Sequence, residues 1–198
     1  MTDSLKKYLN SESAQQLLMK DNVEEFLRSS YSLLEQEDYK QLIDIIMLNY
    51  DIFNEISSLV PQMFVGVRTL DKVALDGNCT GIPAQCFQNS SISAIDGMNV
   101  QFVGAKAFSN CDKLVEVDLP KLEGIGSGAF SNCSALTKFD LSKDIKRIGT
   151  KAFAGCTSLK QIHYHGTKEE ISKVFFGSSW DGSFDSSNIK IICTDGEL

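Results

Sequence analysis

From residue 61 onward the apolar positions repeat about every 22 residues. Phenylalanine stands at Phe64, Phe87, Phe108, Phe130 and Phe153, at spacings of 23, 21, 22 and 23. Three copies agree position by position. Ala107-Phe108, Ala129-Phe130 and Ala152-Phe153 are followed three residues later by Cys111, Cys133 and Cys156, and after three more by Leu114, Leu136 and Leu159. Val117, Phe139 and Ile162 come next, then Leu119, Leu141 and Tyr164. Val103-Gly104, Ile125-Gly126 and Ile148-Gly149 each stand just before the next Ala-Phe pair. Leu70, Val73, Leu75, Ile82 and Cys86 form a looser first copy, and the copy starting at Phe87 is one residue short before Ile92 and Ile95.

Before residue 61 the period changes to that of a helix. Phe26, Leu33 and Leu34 form one apolar stripe, Leu42, Ile45 and Ile46 a second, and Ile52, Phe53, Ile56, Leu59 and Val60 a third. Asp21 with Glu24, and Asp38 with Gln41, have the spacing of helix starts, where a side-chain acceptor meets unpaired N–H groups. All 14 glycines lie at Gly66 or later and all three prolines at Pro61 or later, so the first 60 residues contain no helix breaker. Three or four short helices are expected there, packed on one another or on the first coil.

A single 22-residue coil cannot bury its own apolar side chains, so the copies must stack, Phe over Phe and Leu over Leu. The Leu-x-x-Val-x-Leu segments then become parallel strands about 4.8 Å apart, and five coils give a sheet roughly 20–25 Å across. A ladder of this period predicts an α+β leucine-rich-repeat solenoid with a parallel β-sheet of about five coils, capped by an N-terminal helical segment. The expected divisions are an acidic helical region at 1–60, the repeats at 61–165 and a C-terminal cap at 166–198.

Ala-Phe-x-x-Cys-x-x-Leu-x-x-Val/Ile, with Ile-Gly before the next Ala-Phe, resembles the BspA-like class of leucine-rich repeats. His163 to Lys168, Ser178-Ser179-Trp180 and Ile191 to Gly196 are similar to the closing cap of that family. The resemblance covers about 66–198. Longer members are mostly surface proteins with signal peptides. A short chain with a helical leader and a few repeats resembles members from bacteriophage and mobile elements. That likeness implies a host protein, such as a defence enzyme, as partner, and inhibition of it as the effect.

The chain carries 26 acidic and 19 basic residues, a net charge of −7. Eleven acids and five bases fall in residues 1–60, so the excess belongs to the helical region. This balance argues against nucleic acid as a partner. No apolar run approaches the roughly 20 residues that span a bilayer. Met1 to Asn10 is polar and does not read as a secretory leader, so a cytoplasmic, non-membrane location is expected.

Candidate chemistry is sparse. Cys79, Cys86, Cys111, Cys133, Cys156 and Cys193 contain no C-x-x-C pair, and a ladder of buried, free thiols is expected. His163 and His165 alternate on a strand-like segment and lack the further ligands zinc needs. Trp180 and Phe184 read as plugs for the open end of the last coil. No phosphate loop, nucleophile elbow or His-Glu-x-x-His motif is present. Neither catalysis, a metal nor a cofactor is expected.

Stacking sorts the outward residues of the strands into three columns. These are Asp71, Ser93, Val115, Thr137 and Lys160; then Lys72, Ala94, Glu116, Lys138 and Gln161; then Ala74, Asp96, Asp118, Asp140 and His163. The third sets three carboxylates one strand spacing apart, which does not help folding. The expected binding surface is Asp96, Asp118 and Asp140 with Glu116, Lys138, Lys160 and His163 beside them, facing a protein partner with a basic surface. A solvated face, on which duplication simply copied one aspartate, is the plainer alternative. Two other functions fit less well: a virion or cell-surface attachment protein, and a metal-dependent enzyme on the acidic stripe. Oligomeric state is open, since an uncovered solenoid edge pairs readily and a dimer is compatible with it.

Overall fold

The computed structural model describes residues 2–11, 14, 23–47, 59, 61–75, 77–182 and 189–198. Its helices and strands, in chain order, are α1 (Asp3–Leu9), α2 (Val23–Leu33), α3 (Gln36–Met47), β1 (Lys72–Ala74), β2 (Gly81–Ile82), β3 (Ala94–Asp96), β4 (Phe102–Val103), β5 (Glu116–Asp118), β6 (Gly124–Ile125), β7 (Lys138–Leu141), β8 (Arg147–Ile148), β9 (Gln161–Tyr164), α4 (Lys168–Ile171), β10 (Phe175–Phe176), β11 (Lys190–Cys193) and β12 (Gly196–Glu197).

The helices pack through Leu5, Phe26, Leu27, Tyr39, Leu42 and Ile43, all buried and continuous with the core of the coils. Thr2 caps α1 by accepting from the Leu5 N–H at 3.2 Å, and its hydroxyl donates to Asp38. Tyr8 and Ser30 share a hydrogen bond of 2.8 Å that ties α1 to α2. Asp38 therefore does not start α3, as the Asp38/Gln41 spacing suggested. The helix begins at Gln36, its first acceptor is the Glu35 carbonyl, and Asp38 is buried against Thr2. Leu33 also departs from expectation: at 69% exposure it lies off the buried stripe. Asp21, the side chains of Glu24, Ile45 and Ile46, and the stripe residues Ile52, Phe53, Ile56 and Val60 lie outside the described residues.

The coils stack along three ladders. The expected sheet forms with the expected register. Lys72, Val73 and Ala74 pair with Ala94, Ile95 and Asp96, which pair with Glu116, Val117 and Asp118. Lys138, Phe139, Asp140 and Leu141 pair with Gln161, Ile162, His163 and Tyr164. The ladder is interrupted between β5 and β7. There Phe139 replaces the aliphatic residue of its column and sets its ring edge-on to Phe130 and Phe153, at 5.0 and 4.9 Å.

A second parallel sheet runs β2-β4-β6-β8-β10. Its inward residues include Ile82, Val103, Ile125 and Ile148. The glycine after β4, β6, β8 and β10 has a steric reason. A Cβ on Gly104, Gly126, Gly149 or Gly177 would lie 2.4–2.6 Å from a backbone nitrogen of the preceding coil.

The third ladder is the turn that carries the phenylalanines. Successive rings from Phe64 to Phe153 stack at 5.2–5.4 Å and within 10° of parallel. Trp180 closes the stack edge-on, 6.2 Å from Phe153. Asn89, Asn110 and Asn132 sit in the left-handed region at φ 60°, 61° and 60°, which asparagine tolerates better than most residues. Their amides form a ladder of 2.8 Å hydrogen bonds from coil to coil.

The C-terminal segment adds a shortened coil. Thr167 and Glu170 form a capping box on α4, as an N-cap hydroxyl and an N3 carboxylate do when each meets the other's backbone N–H. β10 extends the second sheet and β11 extends the first, pairing in parallel with β9. β12 then folds back antiparallel along β11. Of the two expected plugs, Phe184 lies outside the described residues, with the rest of 183–188.

Candidate partner-binding surface

The first sheet carries its outward columns because alternate strand residues point to opposite faces. Asp96 and Asp118 are register partners on β3 and β5, and Asp140 and His163 are partners on β7 and β9. Asp96 and Asp118 are exposed, and the Asp140 side chain is 43% exposed. Asp140 Oδ1 lies 4.0 Å from His163 Nδ1 and 3.8 Å from His165 Nε2, so both imidazoles turn toward one carboxylate. Asp96 and Asp118 have no cation within ion-pair distance among the described residues. In the adjoining column Glu116 aligns with Ala94, while Lys138 aligns with Gln161 and, through it, with Lys190. Lys160 stands exposed just before β9, where its backbone N–H donates to the Thr137 carbonyl at 3.3 Å.

Where the chain leaves β5 and β7, the stripe opens into a groove of about 430 Å³. Asp118, Asp140, Asp144, Lys143, Ser142 and His165 line it, with Leu119 and Pro120 as an apolar border. The structure thus brings Asp118 and Asp140 to one groove, with His163 beside Asp140 and Asp96 one strand away. Glu116, Lys138 and Lys160 are placed on its flank. Sequence reasoning missed His165, Ser142, Lys143 and Asp144 as groove residues. For Ser142, Lys143 and Asp144 the signal was the polar Ser-Lys-Asp run directly after a strand, starting at the position where the preceding coil carries Pro120.

The thiols belong to the interior. All six cysteines are free and buried. Cys111, Cys133 and Cys156 donate to the carbonyls of Phe87, Phe108 and Phe130, each one coil back, at 3.0, 3.2 and 3.0 Å. Burial pushes the Cys111 thiol up to about 11 and raises Cys86 as well. At pH 8 the Cys111 thiolate should be roughly a hundredfold scarcer than in the unfolded chain, since two pH units separate the two states. Maleimide labelling followed by peptide mass spectrometry should leave Cys111, Cys133 and Cys156 unmodified until denaturant is added. Rapid labelling of these three in the folded protein would show that the ladder opens.

Among the described residues, no three His, Cys, Asp or Glu side chains are gathered to hold a metal ion. None of the described helices is long and apolar enough to cross a membrane.

The sequence matches the BspA type leucine rich repeat region, in six copies, over residues 43–113 and 96–194. Similar solved structures include two leucine-rich repeat proteins. The T. pallidum leucine-rich repeat protein is 23% identical, with a TM-score of 0.47, over 62% of this chain and 67% of its own. A leucine-rich repeat protein from Bacteroides ovatus is 16% identical, with a TM-score of 0.41, over 70% of this chain and 53% of its own. No curated protein matches the sequence. The family match spans most of the chain and takes in the stacked phenylalanines and the glycine ladder, and the chain accordingly belongs to the BspA type leucine-rich repeat family.

Proposed function

We propose that the chain is a non-catalytic protein-binding module and that a basic surface of its partner docks along Asp96, Asp118 and Asp140. The observation that carries this reading is the aligned stripe itself. Adjacent strands bear like charges in register, an arrangement that opposes folding. No cation of the chain neutralises Asp96 or Asp118 among the described residues. A partner's lysines or arginines would remove that repulsion, and the groove beside Asp118 and Asp140 would receive a protruding side chain. Lys138, Lys160 and His163 beside the stripe would set orientation by meeting acidic groups at the partner's rim. The surplus of acids in residues 1–60 adds to the chain's negative charge and would speed encounter with a basic partner.

The test is the double substitution Asp96→Lys with Asp118→Lys, compared with wild type as bait in affinity purification. The expected result is loss of the partner, with binding weakened by about a hundredfold, because two like-charge juxtapositions replace two attractions. The melting curve should stay nearly unchanged, because paired lysines replace one like-charge repulsion with another. Recovery of the same partner by both baits would refute the reading, as would unfolding of the variant. A host defence enzyme with a basic surface is the first partner to assay, with its inhibition as the effect to measure.

A further inference from the structure

The second sheet presents an outward row that the acidic stripe does not use. Its pairing aligns Gly81, Phe102, Gly124, Arg147 and Phe175 on successive strands. Phe102 is 46% exposed and Phe175 is 67% exposed, although both occupy regular strand positions. Neither aromatic is needed to fill the core, which the next residue of each strand already reaches. A Cβ on Gly124 would lie 3.0 Å from the Phe102 ring and 3.4 Å from Arg147 Nε, so both side chains extend over that glycine from either side.

Charge separates Arg147 from its neighbour. Lys146 is paired with Glu123. Arg147 has no carboxylate within ion-pair distance among the described residues. Two exposed phenylalanines three strand spacings apart, about 14 Å, thus bracket one unpaired guanidinium. Exposed aromatics and arginine are the side chains that anchor protein interfaces when a partner desolvates them. One cation in this row, on a chain of charge −7, does not attract a polyanion. It fits one carboxylate held between apolar groups.

From this arrangement we infer that the Phe102–Arg147–Phe175 row is a second docking surface. Its occupant is a partner-protein segment carrying one carboxylate flanked by apolar side chains. The carboxylate meets the Arg147 guanidinium and the apolar side chains cover the two rings. The surface lies on a different sheet from the acidic stripe and does not depend on it.

A phage-displayed library of random dodecapeptides, selected on the immobilised full chain, tests this directly. Enriched peptides should share an Asp or Glu between apolar residues. By fluorescence anisotropy, a labelled enriched peptide should lose about tenfold or more in affinity on Arg147→Glu and on Phe175→Ala. It should bind Lys113→Glu, the same charge change away from this sheet, as it binds wild type. A peptide with its acid changed to lysine should bind Arg147→Glu better than it binds wild type. Arg147→Gln provides the same comparison should the Glu variant melt early. Enriched peptides that bind Arg147→Glu undiminished would overturn the proposal, as would a selection with no enrichment. A dimer in light scattering that Arg147→Glu dissolves would also overturn it, because the occupant would then be a second copy of the chain.

Discussion

Gly126→Ala should destabilise the protein by about 3 kcal/mol or more, an overpacking cost at the upper end of its usual range. The added Cβ would sit 2.6 Å from Ala105 N, 2.7 Å from Gly104 C and 3.0 Å from Ala105 Cα. All three are backbone atoms of the preceding coil, so no rotamer change relieves the contact. The coils must separate, and separation lengthens the Gly126 N–H to Val103 carbonyl bond, now 2.8 Å. For a chain of this size the melting temperature should fall by about 6–12 °C. Gly128 provides the comparison. Its φ of +60° disfavours any other residue, but a Cβ there would have no atom closer than 3.5 Å, and Gln85, Lys106 and Lys151 take the same left-handed position in other coils at φ 58°, 55° and 54°. Gly128→Gln should therefore cost only about 1 kcal/mol, the penalty of a left-handed residue. Equal losses at the two glycines would show that backbone conformation, rather than the closeness of the coils, explains the Gly ladder.

The second large effect is expected at Phe130. Its ring is fully buried, stacked on Phe108 at 5.2 Å and on Phe153 at 5.4 Å, with Phe139 edge-on at 5.0 Å. Phe130→Ala should cost about 3–5 kcal/mol, the transfer free energy of the ring plus the cavity it leaves. Position makes it more than a local loss. In a solenoid each coil is stabilised by its neighbours, so a weak interface in mid-array uncouples the two halves. Trp180 packs on Phe153 and reports on the C-terminal half through its fluorescence. In wild type, urea transitions followed by Trp180 fluorescence and by backbone circular dichroism should coincide. In Phe130→Ala they should separate. Coincident transitions in the variant, shifted together, would show that the array folds as one unit despite the gap.

Much of this architecture was legible because it repeats. A Phe, Cys or Leu that returns at one position in three copies has to stack on itself, and the first sheet's register follows from counting residues between them. The second sheet was harder to read. Its strands are two residues long, too short for alternation to show, and Ile-Gly reads as a turn until the glycine's contact with the preceding backbone is seen. Phe102 and Phe175 were hidden for the same reason, since their column holds Gly81, Gly124 and Arg147 in the other coils and carries no pattern. Leu33 and Asp38 misled because helical spacing gives a period but not the facing neighbour, and the partner of Asp38 is Thr2, 36 positions away. The outward columns of the candidate surface could be counted out from the sequence. The groove beside them could not, because it is assembled from loops that leave two different coils.

The fold-back of β12 onto β11 has a consequence for assembly. It gives the coil array two unlike ends. The C-terminal end stops in a two-residue antiparallel strand whose Glu197 is paired with Lys190, which makes a short, charged and poor template for a further strand. Head-to-tail stacking needs both ends to be adhesive and is the symmetry that generates open fibres. With the first sheet blunted at this end, strand pairing between copies through that sheet would have to use the opposite end twice, a contact that closes as a two-fold pair.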